Sequence, residues 1–213
     1  MHHLSSITYV ILTLIGCGAG VVDTIAGGGG LITVPALLMA GLSPAMSLGT
    51  NRLQSCIGES TATIRFIQGG ELELKKLWLG LIFASIGSTI GTILIQIIHP
   101  LHLKKIIAAL MLIILIYTIF SPKLAHKSVK PKMSLSLFGL IFGTIIGFYN
   151  GFFGPGTGSF YVVAFMFFMA MNIKSAVIHT KPLNLIGNIL SFFWFALGGH
   201  VAYIVGIFML DFG

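Results

Sequence analysis

Residues 20–30 read G-V-V-D-T-I-A-G-G-G-G, an acid followed by four consecutive glycines that close an apolar run over residues 7–26. A run of that length fits a first membrane helix, because about twenty apolar residues span the hydrocarbon. Residues 31–42 are apolar again but amount to only about twelve, too few to span, and predict a half-helix or re-entrant segment. Pro44 at a helix start then opens residues 45–67, which have spanning length yet carry Thr50, Asn51, Arg52, Gln54, Glu59 and Arg65. A helix that polar cannot face lipid, so it is predicted to face the interior of a bundle.

Composition agrees with that reading. The 213 residues are 56% hydrophobic and 8% charged, where soluble domains carry about 25% charged residues, so cytosolic enzymes and disordered tails are excluded. The excess of 12 Lys and Arg over 5 Asp and Glu falls largely between apolar runs, as topology charge rather than a nucleic-acid-binding face. Cys17 and Cys56 lie in apolar or small-residue stretches and are expected to be buried thiols, with no disulfide framework. Residues 1–6 lack Lys and Arg, which argues against both a cleaved signal peptide and a lipoprotein reading of Leu14-Ile15-Gly16-Cys17.

Beyond a turn at residues 69–76, residues 77–98 and 103–120 read as conventional, lipid-facing spans joined at His99-Pro100. Gly80, Ala84, Gly87 and Gly91 recur at helical spacing on the first of them and predict close approach of a neighbouring helix. Residues 121–133, with Lys123, Lys127, Lys130 and Lys132, form a basic linker between a first repeat at 1–120 and a second at 134–213. The motif at 20–30 is echoed by G-F-Y-N-G-F-F-G-P-G-T-G at 147–158. Thr50-Asn51-Arg52-Leu53-Gln54 is echoed 130 residues on by Thr180-Lys181-Pro182-Leu183-Asn184, and Gly69-Gly70 by Gly198-Gly199 near the same offset. The expected fold is all-α: a polytopic membrane bundle with an internal two-fold sequence repeat and glycine-broken helices. By that offset the counterpart of Phe120 falls beyond Gly213, so the second repeat reads as short by roughly one and a half helices. Basic residues near Gly69 and in the linker outnumber Lys104 and Lys105, which points to a cytoplasmic location for the former. Whether the repeats are inverted or parallel depends on the number of crossings, which the residues leave open.

Glycine breaks at matching positions of two halves point to a transporter binding site. Helix starts near Gly28, Gly29, Gly30 and near Gly154, Gly156, Gly158 can hold a negative charge through backbone N–H groups and the helix dipole. Arg52 and Lys181 add cations inside helices, and Thr50, Asn51, Gln54, Thr180 and Asn184 add neutral donors. That set suits a small anion. A structural alternative pairs Arg52 with Asp23 or Glu59. Asp23, whose counterpart Asn150 is neutral, and Glu59 are the candidate proton-coupling acids, and His179 reads as a cap or interface residue. Gly156-Thr157-Gly158-Ser159 is not a nucleophile elbow, the seven histidines have no metal-ligand spacing, and no cofactor motif is present, so no enzyme is expected.

The runs G-x-x-D-x-I-A-G-G-G-G-L-I-T-V-P-A-L-L-x-A-G-L at 20–42 and L-G-T-N-R-L-Q at 48–54 resemble the sulfite exporter TauE/SafE family of bacterial inner-membrane proteins. So do G-F-Y-N-G-F-F-G-P-G-T-G-S-F at 147–160, T-K-P-L-N and G-N-I-L-S-F. The resemblance covers nearly the whole chain and implies a duplicated multi-pass transporter, often an exporter, of small sulfur-containing or organic anions such as sulfite or sulfoacetate. It implies a substrate region at Asp23, the glycines, Thr50, Asn51, Arg52, Gln54, Asn150, Thr180, Lys181 and Asn184. Arg52 stands where the family pattern expects lysine, which keeps the charge but changes its shape. An anion channel and an inactive, shortened remnant are the alternative readings, and a homodimer could cover surface left by absent helices.

Overall fold

A computed structural model describes residues 5–26, 28–120 and 130–210, all-helical apart from turns. Gly27 and positions 121–129 of the expected linker lie outside the described residues. Helix α1 (Ser6–Ala26) is followed by α2 (Gly30–Met39), whose ten residues extend about 15 Å, half the hydrocarbon thickness. Helix α3 (Pro44–Gln68) starts at Ser43, whose Oγ accepts the Met46 N–H at 3.3 Å, and carries Pro44 in its first turn, where the missing N–H costs nothing. One 3₁₀ turn leads into α4 (Trp78–Gln96), and α5 (Pro100–Phe120) begins at the expected proline.

The second group of helices opens on one rod in which α6 (Leu135–Phe138) and α7 (Thr144–Phe152) are joined by a π-helical turn, Gly139–Gly143. Helix α8 (Thr157–Met169) starts from Gly156 at φ 84°, and α9 (Ile173–Leu197) from Asn172, whose Oδ1 accepts the Ser175 N–H. A six-residue α10 (Tyr203–Phe208) follows. The segments Ser6–Asp23, Leu74–Gln96 and Leu135–Phe152 are long and apolar enough to cross a membrane. Isoleucines such as Ile82, Ile86 and Ile90 form an exposed stripe on α4, which fits contact with lipid chains.

Only that stripe of α4 is outward, however. Its other side packs along α7 and α9, through the close approach that Gly80, Ala84, Gly87 and Gly91 predict. Gly80 lies against Gly139, Ala84 against Gly147 and Ser88 against Gly151, so α4 and the α6–α7 rod run parallel with their backbones in contact. Small residues permit that approach, and dispersion between the close backbones stabilises it. A Cβ at Gly151 would fall on the Ser88 backbone, whereas one at Gly18 would meet nothing within 4 Å. Gly151→Val is therefore expected to lower stability by about 3 kcal/mol or more, the upper range for overpacking, and Gly18→Val to change it little. Thermal unfolding midpoints in detergent would read the difference, and equal midpoints would contradict this packing.

Helices α3 and α9 run antiparallel. Gly49 and Thr50, near the start of α3, touch His200 and Ala202 beyond the end of α9, while Glu71 beyond α3 pairs with Lys174 at the start of α9 at 2.6 Å. Two sequence expectations change here. Cys17 is exposed and Cys56 only partly covered, because their helix faces point away from the core. His179 lies inside α9 rather than at its start, with Nδ1 2.8 Å from the Ser175 carbonyl.

Candidate functional site

The antiparallel contact of α3 and α9 sets residues of the two helices at matching heights, and two polar levels result. At the first level stands Arg52, 2% exposed. Its Nη1 donates to Asn150 Oδ1 at 2.8 Å and to Asn188 Oδ1 at 2.7 Å, and its Nη2 donates to the Asn150 carbonyl. Arg52 is in none of the ion pairs among the described residues, and its Nε has no partner. The charge is thus solvated by amide oxygens alone. Burial of a cation without a counter-charge is costly, and planar guanidinium donors meeting fixed acceptors offset part of that cost.

The guanidinium rests on Gly154, whose φ of 96° is open to glycine and where a Cβ would collide with the guanidinium nitrogens. A Cβ at Gly30 would lie 3.1 Å from Pro155, so the start of α2 and the loop entering α8 meet beside Arg52. Both helix starts bring backbone dipoles with their positive ends toward that point. The cleft between them has a volume of about 10 Å³ and is lined by Asp23, Asn51, Arg52, Gly156, Asn184 and Asn188 among others. A neighbouring 20 Å³ cleft adds Gly29, Gln54 and Gly58. Each has room for about one water, so the site is closed around the cation in this conformation.

The second level holds Lys181, with Nζ 3.4 Å from Glu59 Oε1 and 3.4 Å from the Asp23 carbonyl. Asn184 Nδ2 donates to the same Glu59 oxygen at 2.8 Å. Glu59 Oε2 and Asn184 Oδ1 are buried without a partner. Glu59 is seven residues past Arg52 on α3, so the two levels stand about 10 Å apart along the helix. Arg52 and Lys181 therefore do not share one contact shell, and the carboxylate weighed as a partner of Arg52 is bonded to Lys181.

The remaining predicted residues divide between the site and the scaffold. Asp23 Oδ1 accepts the Gly29 N–H at 2.8 Å and holds the start of α2, and Gly28 accepts the Leu31 N–H. Asn51 donates to Thr33 Oγ1 at 2.7 Å, tying α3 to α2. Thr50 accepts the Ala202 N–H, and Thr180 donates to the Ala176 carbonyl, so both serve the scaffold. Gly158 is buried in the first turn of α8. Gln54 lines the second cleft, with Oε1 unpartnered. Sequence reasoning missed Asn188, Thr33 and Thr157, whose hydroxyl donates to the Gly154 carbonyl at 2.6 Å. Asn188 was findable, since it follows Asn184 by one helical turn on the same face.

Apolar helices closed around buried charges, with short-helix starts meeting inside, define a membrane-embedded protein with an internal polar site. Residues 12–212 match the model of the family described as sulfite exporter TauE/SafE, and the chain belongs to that family. It is 44% identical over 200 residues to the "Probable membrane transporter protein" of Haemophilus influenzae, covering 94% of this chain and 78% of that one. It is 41% identical over 200 residues to "Probable membrane transporter protein YfcA" of Escherichia coli K12, covering 94% and 74%. It is 37% identical over 191 residues to "Probable membrane transporter protein ORF9" of Sinorhizobium sp, covering 90% and 73%. Family and relatives together indicate a membrane transporter. No solved structure matches.

Proposed function

We propose that this protein is a multi-pass inner-membrane secondary transporter that exports small sulfur-containing or organic anions, such as sulfite or sulfoacetate, with the anion bound at Arg52. One observation carries the reading: a buried guanidinium, in no ion pair among the described residues, at the point where the starts of α2 and α8 meet. An anion supplies, at contact distance, the partner charge that no described carboxylate brings to Arg52. Glycines around both helix starts let backbone N–H groups approach it, as helix starts do at anion sites generally.

Alternating access is supported by a two-fold relation between the halves. The ends of α3 and α9 correspond at an offset of 129: Ser43 with Asn172 as cap, Gly69-Gly70 with Gly198-Gly199. That register, one less than the motif echo suggests, pairs Arg52 with Lys181, Gly58 with Gly187 and Glu59 with Asn188. Because α3 and α9 are antiparallel, the repeat is read as inverted, the architecture in which one half rocks against the other.

The test is the thermal stability of the detergent-purified chain against sulfite, sulfate, thiosulfate, sulfoacetate, methanesulfonate and chloride. A ligand of the folded state raises its midpoint by mass action, about 2.7 kcal/mol at a hundred times Kd. A selective, saturable rise is expected for the transported class, and no rise with any of the six would refute anion binding. Flux into vesicles that keeps climbing in proportion to concentration would favour a channel over a carrier.

A further inference from the structure

The two polar levels are related by a similar correspondence: Arg52 pairs with Lys181 and Asn188 with Glu59 at an offset of 129, Asp23 pairs with Asn150 at 127, and one backbone bond and one side-chain bond recur at each level. Arg52 of the first half donates to the Asn150 carbonyl and the Asn188 side chain of the second. Lys181 of the second half donates to the Asp23 carbonyl and the Glu59 side chain of the first. Asn150 lies against Gly187, and Asp23 shares a cleft with Gly58, the counterpart of Gly187. The placement recurs while the chemistry does not: Arg52 meets two amide side chains, whereas Lys181 meets the Glu59 carboxylate and the backbone carbonyl of a second acid, Asp23.

We infer that the Lys181 level is a proton-binding site, in which Glu59 takes up one proton for each monovalent anion bound at Arg52. This rests on the reading of Arg52 as the anion ligand. Charge balance requires that proton. Arg52, Lys181, Asp23 and Glu59 are the charged side chains in the interior, and the other charged residues described are exposed. Two cations and two acids sum to zero. One anion added to that closed interior leaves an uncompensated negative charge, which low dielectric makes costly. One proton on Glu59 restores neutrality.

Glu59 rather than Asp23 is the acceptor because of its hydrogen bonds. Glu59 Oε2 is buried with no donor, and Asn184, which bonds to Glu59 through Nδ2, has Oδ1 also without a donor. An O–H on Glu59 Oε2 supplies the kind of group both lack. Asp23 already accepts the Gly29 N–H and is only partly buried. The groups that act on Glu59 are Lys181 and Asn184 from α9 and Asp23 from α1, and Cys56 lies three residues before it on its own helix. Arg52 stands one level away on the same helix. Helix α2 has no titratable side chain; Lys104 and Lys105 of α5 and Tyr203 of α10 are exposed. His179 on α9 is held by the Ser175 carbonyl and packs on Phe165. The proton comes from bulk water, and no covalent bond other than the Glu59 O–H is made. A sodium ion at the same place is disfavoured, since the Lys181 ammonium already occupies it.

Calorimetric proton counting on the purified wild-type chain tests this, comparing two buffers of different ionisation enthalpy. The probes are methanesulfonate and chloride, each with one negative charge fixed between about pH 5 and about pH 8. The expected result is uptake of about one proton per anion bound, with the apparent Kd rising about tenfold per unit of pH where free Glu59 is ionised, because binding and protonation are linked reciprocally. In Glu59→Gln the uptake is expected to vanish and the affinity to become independent of pH.

Zero uptake by the wild type with either probe bound would overturn the proposal and leave the anion reading standing. Dependence on sodium in place of protons would also overturn it. No binding of either probe at any pH overturns it as well, and no binding across the whole panel removes the anion reading too. If Glu59→Gln cannot be purified, the wild-type count still decides. Uptake lost in Asp23→Asn but kept in Glu59→Gln would overturn the assignment to Glu59.

Discussion

Arg52→Gln is expected to abolish the selective rise in thermal stability with anions while leaving a chain that folds. Glutamine keeps an N–H donor near Asn150 and Asn188 but removes the charge. Loss of one partner from a desolvated charge pair costs about 2–5 kcal/mol, so Kd for a bound anion should rise more than about tenfold. Without anion, two effects oppose each other. The charge-assisted hydrogen bonds to Asn150 and Asn188 are lost, at about 1.5–3 kcal/mol each, but so is the desolvation cost of a buried cation in no ion pair. Arg52→Lys should retain a weaker response, because an ammonium keeps the charge but not the planar fork that reaches several acceptors. A full wild-type response in Arg52→Gln would place the anion elsewhere.

Gly154→Ala is expected to be the most damaging single-methyl change near the site. Two costs coincide there. A non-glycine residue at φ 96° carries a left-handed penalty of about 1–2 kcal/mol, and its Cβ would displace the Arg52 guanidinium from its three hydrogen bonds. Gly199→Ala is the matched control, since Gly199 has φ 70° and nothing within 4 Å of the added methyl. The pair shares the backbone penalty and differs in the guanidinium. Gly154→Ala should therefore lose at least about 2 kcal/mol more than Gly199→Ala, the worth of a disrupted charged hydrogen bond, and should lose the anion response. Equal unfolding midpoints would mean that the guanidinium moves aside without cost and is not held as described.

Helix limits were legible wherever solvation or backbone chemistry acts locally. The polar segment at 45–67 had to turn inward because lipid cannot solvate Asn51, Arg52 and Glu59, and α3 covers Pro44–Gln68 with those side chains buried. Ten residues of α2 after the glycines and the start of α5 at Pro100 follow from length and from the missing proline N–H. On α4 small-residue spacing marked the packed side, but hydropathy reports how apolar a residue is, not which neighbour covers it. Gly80, Ala84 and Ser88 are hidden by glycines some sixty positions later in the chain.

For the candidate site the division is similar. Residue types in the chain alone marked out Arg52, Lys181, Asp23 and Glu59, because each ionisable group inside a membrane helix carries a desolvation cost that demands a partner or a task. Which partner each one has was decided by tertiary structure. Spacing on one helix makes Glu59 a candidate for Arg52, but the antiparallel seating of α9 sets Asn188 at the height of Arg52 and Lys181 at the height of Glu59. Composition and periodicity act through local solvation and are carried by each segment separately. Helix direction and register depend on how segments far apart in the chain pack, and only that packing separates a cation held by amides from a cation paired with a carboxylate.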